Sequence, residues 1–227
     1  MHKTIAAIVP MRHSSERVPG KNYRDFNGRP LYHWVIESLL ACNKITEVVI
    51  DTDSPTVMED ASSSFPGITL LERPKHLRAG ETPMNDVLLN SINQVEADFY
   101  LQTHSTNPLL SPESVGKAVN TFLDNYPVYD SLFGVTRLQT RLWDILGRAV
   151  NHNPNILLRT QDLPPIFEEN SCIYIFTKSI IEEKHNRIGN RPFLFEIDAE
   201  EAQDIDVELD FRIAEFLFKE KYPNRIK

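Results

Sequence analysis

The sequence predicts an α/β protein whose core is a doubly wound, mostly parallel sheet. Two observations carry this. Short apolar runs alternate with amphipathic stretches through the first half of the chain, the rhythm of strands joined by crossover helices. The length of 227 residues, with 41% hydrophobic and 25% charged residues, suits one sizeable globular domain spanning 1–227.

Taken in order, Ile5, Ala6, Ala7, Ile8 and Val9 form an apolar run that fits a buried strand, and Pro10 is expected to end it. A polar loop follows, carrying Arg12, Ser14, Ser15, Arg17, Gly20, Lys21 and Asn22. Leu31 to Cys42 reads as an apolar-faced helix opening at Pro30. Glu47 to Ile50 reads as a second strand ending in Asp51-Thr52-Asp53. Ser54-Pro55 supplies an N-cap and a first-turn proline for a helix to about Ser63. Ile68 to Leu71 is a third strand. From Thr82-Pro83, residues Met84, Val87, Leu88, Ser91, Ile92 and Val95 form one helical stripe. Phe99 to Leu101 is a buried strand running into the polar segment 102–107, and Ser111-Pro112 caps another helix.

After residue 130 the rhythm changes. Ser131–Val135, Cys172–Phe176 and Phe193–Ile197 are β-like runs separated by long loops, so 130–195 is expected to be an excursion from the sheet, not a second domain. Glu208 to Tyr222 closes the series as a packing helix.

Several function classes are disfavoured. A net charge of -8 argues against general nucleic-acid binding. No stretch approaches the ~18 apolar residues of a membrane span. The opening apolar run is too short for a signal peptide, and Cys42 and Cys172 read as reduced core thiols, so a cytoplasmic protein is expected.

The charge distribution is more informative than its sum. The first loop is basic, whereas Asp204-Ile205-Asp206 and its flanks are acidic. Arg12, Arg17 and Lys21 at the carboxyl end of a strand suit an anion, since α/β sheets place ligands there; a solvated surface loop is the alternative. The phosphate-loop and dinucleotide glycine motifs are absent. In an extended segment Asp204 and Asp206 point the same way, so both carboxylates can hold one Mg²⁺. Matching of the next helix's dipole competes with that reading. Gln102 to Pro108 could read a base or a sugar, or form a capped turn. His13 and His104 have no visible catalytic partner.

In order along nearly the whole chain, a set of pieces resembles one family. They are IVPMRHSSERVPGKN (matching at Arg12, Ser15, Pro19, Lys21 and Asn22), NGRPL, TDS, LERP, LQTHSTNPLL, LPPIFEENSCIYIF and DIDVELDFRIAE. Together they are similar to the acylneuraminate cytidylyltransferases, the CMP-sialate synthetases. The resemblance implies a Rossmann-like nucleotidyltransferase that moves CMP from CTP to the anomeric hydroxyl of a nonulosonic sugar acid, with Mg²⁺ assisting. It implies that Arg12, Ser15, Arg17, Lys21, Asn22 and Arg73 bind the nucleotide, with Arg12 and Lys21 stabilising the leaving group. Gln102, Asn170, Tyr174 and Arg159 would then line the sugar pocket, and Asp204 and Asp206 would hold the metal. A homodimer formed through 130–195 is also implied. The chain departs from the family's loop at Glu16, where a lysine is usual, with Arg17 beside it as the substitute, and at Ser171 in place of glycine. Kdo cytidylyltransferases, whose loop carries an arginine there, are the alternative branch.

Overall fold

In a computed structural model describing residues 3–225, the elements follow one another as strand, helix and hairpin in a mixed sheet. They are β1 (Ile5–Met11), a small hairpin of β2 (Asp25–Phe26) and β3 (Arg29–Pro30), α1 (Leu31–Ala41), β4 (Glu47–Thr52) and α2 (Pro55–Ser64). Then come β5 (Thr69–Glu72), α3 (Met84–Ile92), β6 (Phe99–Gln102), α4 (Pro112–Asn125) and β7 (Ser131–Leu138). The last are β8 (Ile166–Phe176), α5 (Lys178–Lys184), β9 (Pro192–Glu196) and α6 (Glu208–Lys221).

The seven-stranded sheet has the order β5-β4-β1-β6-β8-β7-β9. Strands β5, β4, β1 and β6 are parallel, β8 runs against both β6 and β7, and β9 is parallel to β7. The sheet is therefore mostly parallel, as expected. The three late strands belong to it, so the excursion is narrower than 130–195 and comprises only residues 139–165. The reason lies in β8. Its first half carries Glu168, Glu169 and Asn170 on partly solvated backbone and pairs only with β7, which hides its strand character in the sequence.

Strand β1 shows how the layers form. Ile5, Ala7, Val9 and Met11 face a core built with α1, α2 and α4, while Ala6 and Ile8 face a second core built with α3 and α5. Pro10 does not end this strand. The Ile8 carbonyl accepts from Thr103 at the end of β6, so Pro10, two residues on, turns its missing donor toward the space beyond β6 and loses no ladder bond. A third core joins the β2–β3 hairpin to α6 through Phe26, Trp34, Phe211 and Phe218, and it includes Ile205.

The expected caps are in place. Ser54 accepts from the Val57 amide at 3.3 Å and Ser111 from the Ser114 amide at 3.1 Å, each followed by a first-turn proline. Cys42 and Cys172 are buried free thiols, and burial pushes the Cys172 thiol well up. Among the described residues no helix is long and apolar enough to cross a membrane.

Candidate active site

The cleft, about 890 Å³, lies where β1 and β6 end, between the first loop and the segment before α6. Of the residues singled out in the sequence, Arg12, Ser15, Arg17, Lys21, Asn22, Arg73, Asp204 and Asp206 all border it, and so does Glu16.

Local structure explains the gathering. Gly20, at φ 66°, takes the left-handed conformation that starts the short 3-10 turn Lys21–Tyr23, and a Cβ there would meet the Tyr23 ring at 2.9 Å. That turn aims Lys21 inward. Its Nζ donates to the Ile205 carbonyl at 2.5 Å, and the Ile205 amide donates to the Thr106 carbonyl at 3.1 Å. Ile205 is fully buried while its neighbours Asp204 and Asp206 border the cleft, the alternation expected of an extended segment. Asn22 ties the loops together, donating to the Arg12 carbonyl at 2.8 Å and accepting from Ser105 Oγ at 2.7 Å. Arg24 forks onto Glu208 at 2.6 and 2.8 Å and lies over the Phe211 ring, fixing the start of α6 against the same loop.

These contacts divide the acidic run. Glu208 and Asp210 occupy the first turn of α6, where Asp210 Oδ2 accepts from the Val207 and Asp206 amides at 2.8 and 3.0 Å. Asp204 and Asp206 precede the helix and face the cleft, so cap duty falls to the later pair.

The electrostatics are those of charges held close together and partly out of water. Burial lowers the Lys21 pKa, opposed by Asp204 and Asp206. Burial raises the Asp204 pKa; the nearby Asp206 adds to this, while Thr106 and Lys21 oppose it. Arg17 Nη2 donates to Asp206 Oδ1 at 2.8 Å. His104, also on the cleft, is pushed down to about 4 by burial and by Arg187, so it is neutral at neutral pH.

Arg73 is buried with its Nε 2.5 Å from Asp51 Oδ1, and Ser91 Oγ donates to the other carboxylate oxygen at 2.8 Å. It thus borders the cleft with its guanidinium held from behind.

The four proposed sugar contacts lie elsewhere. Gln102 and Tyr174 are buried beside the cleft, at paired positions of β6 and β8. Asn170 spends its amide on the β7–β8 irregularity, donating to Thr136 Oγ1 at 3.1 Å and accepting from the Cys172 amide at 3.2 Å. Arg159 stands on the excursion, 72% exposed, paired with Asp162 at 2.6 Å, and does not border the cleft. The structure adds two residues that the sequence did not single out. Arg187 contacts Gln102 and Tyr174, and Glu169 accepts from the Tyr174 hydroxyl. Arg187 falls in no quoted motif and Glu169 only inside LPPIFEENSCIYIF, and the strand order is what brings them in.

A family model described as cytidylyltransferase matches residues 6–221. N-acylneuraminate cytidylyltransferase A of Danio rerio is 28% identical over 219 residues, covering 93% of this chain and 50% of that one. The pseudaminic acid cytidylyltransferase of Campylobacter jejuni subsp. jejuni is 26% identical over 227 residues, covering 93% and 95%. Among solved structures, CMP:2-keto-3-deoxy-manno-octonic acid synthetase complexed with CTP superposes with a TM-score of 0.71 at 18% identity, covering 96% of this chain and 99% of that one. With a basic loop and an acid pair facing each other across one cleft, and a family match that runs almost the length of the sequence, the chain belongs to the cytidylyltransferase family.

Proposed function

We propose that this cytidylyltransferase transfers CMP from CTP to the anomeric hydroxyl of a nonulosonic sugar acid. The observation that carries the reading is the meeting of Arg12, Arg17 and Lys21 with Asp204 and Asp206 in one cleft, which suits a polyanion bound together with a cation. The relatives' names, neuraminate and pseudaminic acid, point to the sugar class.

In this reaction the hydroxyl oxygen bonds to the α-phosphorus, the bridging bond to the β-phosphate breaks, and the hydroxyl proton is released. Lys21 and Arg12 hold the triphosphate and neutralise charge growing on the pyrophosphate. Asn22 keeps the Arg12 backbone in place for that contact. Arg17 exchanges Asp206 for phosphate oxygens as CTP enters. Glu16 is exposed and borders the same cleft between Ser15 and Arg17.

Asp204 and Asp206 suit Mg²⁺. They are two hard oxygen donors with no third His, Cys, Asp or Glu grouped with them among the described residues, which leaves coordination sites for phosphates and water. Burial raises the Asp204 pKa and the nearby Asp206 adds to this, and a cation between the two carboxylates would favour their charged forms. Asp204 and Asp206 would hold the ion, which would supply positive charge beside the triphosphate.

The same reading places the protein in the cytoplasm and makes it a homodimer through 139–165, where Ile145 is 99% and Leu157 91% exposed. Incubation with CTP, Mg²⁺ and a panel of neuraminate, legionaminate, pseudaminate and Kdo tests it by pyrophosphate release. Release with a nonulosonate is expected. Release with Kdo alone moves the chain to the other branch, and CTP binding without any release makes it a non-catalytic relative.

A further inference from the structure

Arg187 lies in the connection between α5 and β9, and its side chain is only 16% exposed. Its Nη1 donates to Gln102 Oε1 at 2.6 Å, and its guanidinium carbon sits 3.6 Å from the centre of the Tyr174 ring. Its remaining neighbour of opposite charge, Glu169, is 3.9 Å away and already accepts from the Tyr174 hydroxyl. The cation is therefore spent on holding the ends of β6 and β8.

A guanidinium has donors and no acceptor, so the amide atom facing it must be the oxygen. The chemistry of arginine thereby fixes which way the Gln102 amide is turned. Gln102 Nε2 points elsewhere, and it is buried with no partner among the described residues. The next two residues share this condition at Thr103 Oγ1 and His104 Nε2, and His104 borders the cleft. Buried polar groups are normally paired, so unpaired atoms on three consecutive residues at the carboxyl end of β6, buried just behind the cleft wall that His104 joins, form a set that a polar ligand entering there would complete.

We propose that Arg187 is a positioning residue that locks the Gln102 amide so that its N–H pair is offered to an oxygen of the bound sugar acid. The inference rests on the reading that the sugar binds at the end of β6. It gives that subsite a polarity, because the group of the substrate facing Gln102 must be an acceptor. Stacking on Tyr174 explains why the holder is arginine: a planar guanidinium can lie on the ring and donate at its edge at once.

Gln102→Glu keeps an oxygen for Arg187 and replaces the free N–H pair with an acceptor. Its KM for the sugar acid should rise about tenfold or more while the KM for CTP stays within about twofold. Arg187→Met should show the same split, with Arg187→Lys recovering part of it. An unchanged sugar KM in Gln102→Glu, or an equal rise of both KM values in Arg187→Met, overturns the proposal. A second measurement needs no turnover. In ¹⁵N spectra of the full chain, the Gln102 side-chain amide signals, assigned by their loss in Gln102→Glu, should move in Arg187→Met, and unmoved signals also overturn the proposal. If the wild-type protein releases pyrophosphate with no sugar acid, the functional reading fails, and the amide signals still decide the role of Arg187.

Discussion

Arg17 Nη2 and Asp206 Oδ1 are 2.8 Å apart although 189 residues separate them in the chain. Both side chains are more than half exposed, so the bond is worth at most about 1 kcal/mol and is easily exchanged. Replacing Arg17 by Gln should leave the unfolding free energy within about 1 kcal/mol of wild type and lower kcat/KM for CTP by about 10–100-fold. Denaturant titration alongside initial rates tests both halves. Full activity would remove Arg17 from the phosphate site.

Asp206→Asn keeps shape and an acceptor oxygen but removes a charge. Turnover should become undetectable at any Mg²⁺ concentration, while circular dichroism and the melting transition stay near wild type. A variant that unfolds, or that turns over normally, would mean that Asp206 holds no metal.

The Asp51–Arg73 pair is fully enclosed, with Ser91 completing the carboxylate's shell. Removing one partner leaves an uncompensated buried charge, so Asp51→Asn and Arg73→Leu should each cost about 3–5 kcal/mol of stability. The double substitution should cost less than the sum of the two, and chemical denaturation of the three variants reads the coupling. Additive losses would contradict the pairing.

His104 titrates near 6.5 when unfolded and near 4 in the folded protein. Between those values the unfolded chain binds the extra proton, so this histidine contributes stability that is present above about 6.5 and lost as pH falls toward 4. His104→Gln should flatten the fall in melting temperature across that window and change little at pH 8. An identical slope in the variant would show that the ring is not held neutral.

Most of the scaffold was legible because its local signals agree. Ser54-Pro55 and Ser111-Pro112 start helices where apolar periodicity begins, and the all-apolar run of β1 marks a central strand. The early half of β8 was hidden because Glu168 and Glu169 lie on partly solvated backbone, and apolar patterning is what a sequence shows. Pro10 misled for a different reason: its cost depends on which neighbour it faces, and that is set by where β6 stops. The same division runs through the site. Asp204, Ile205 and Asp206 declare their alternation within three residues, whereas Arg187 acquires its meaning from β6 and β8. Arg159 has the right charge in the right neighbourhood of the sequence, and its partner is a surface aspartate.

The bond from Lys21 Nζ to the Ile205 carbonyl spans 184 residues, and it has a consequence for how the protein is made. By the time residue 176 has left the ribosome, six of the seven sheet strands exist, together with every basic group of the first loop. Neither Asp204 nor Asp206 yet exists. The nascent chain can fold most of its scaffold before its acid pair has been made. The basic and acidic sides of the cleft therefore meet only after that scaffold exists, when the strip carrying both aspartates docks beside Thr106 and under Lys21.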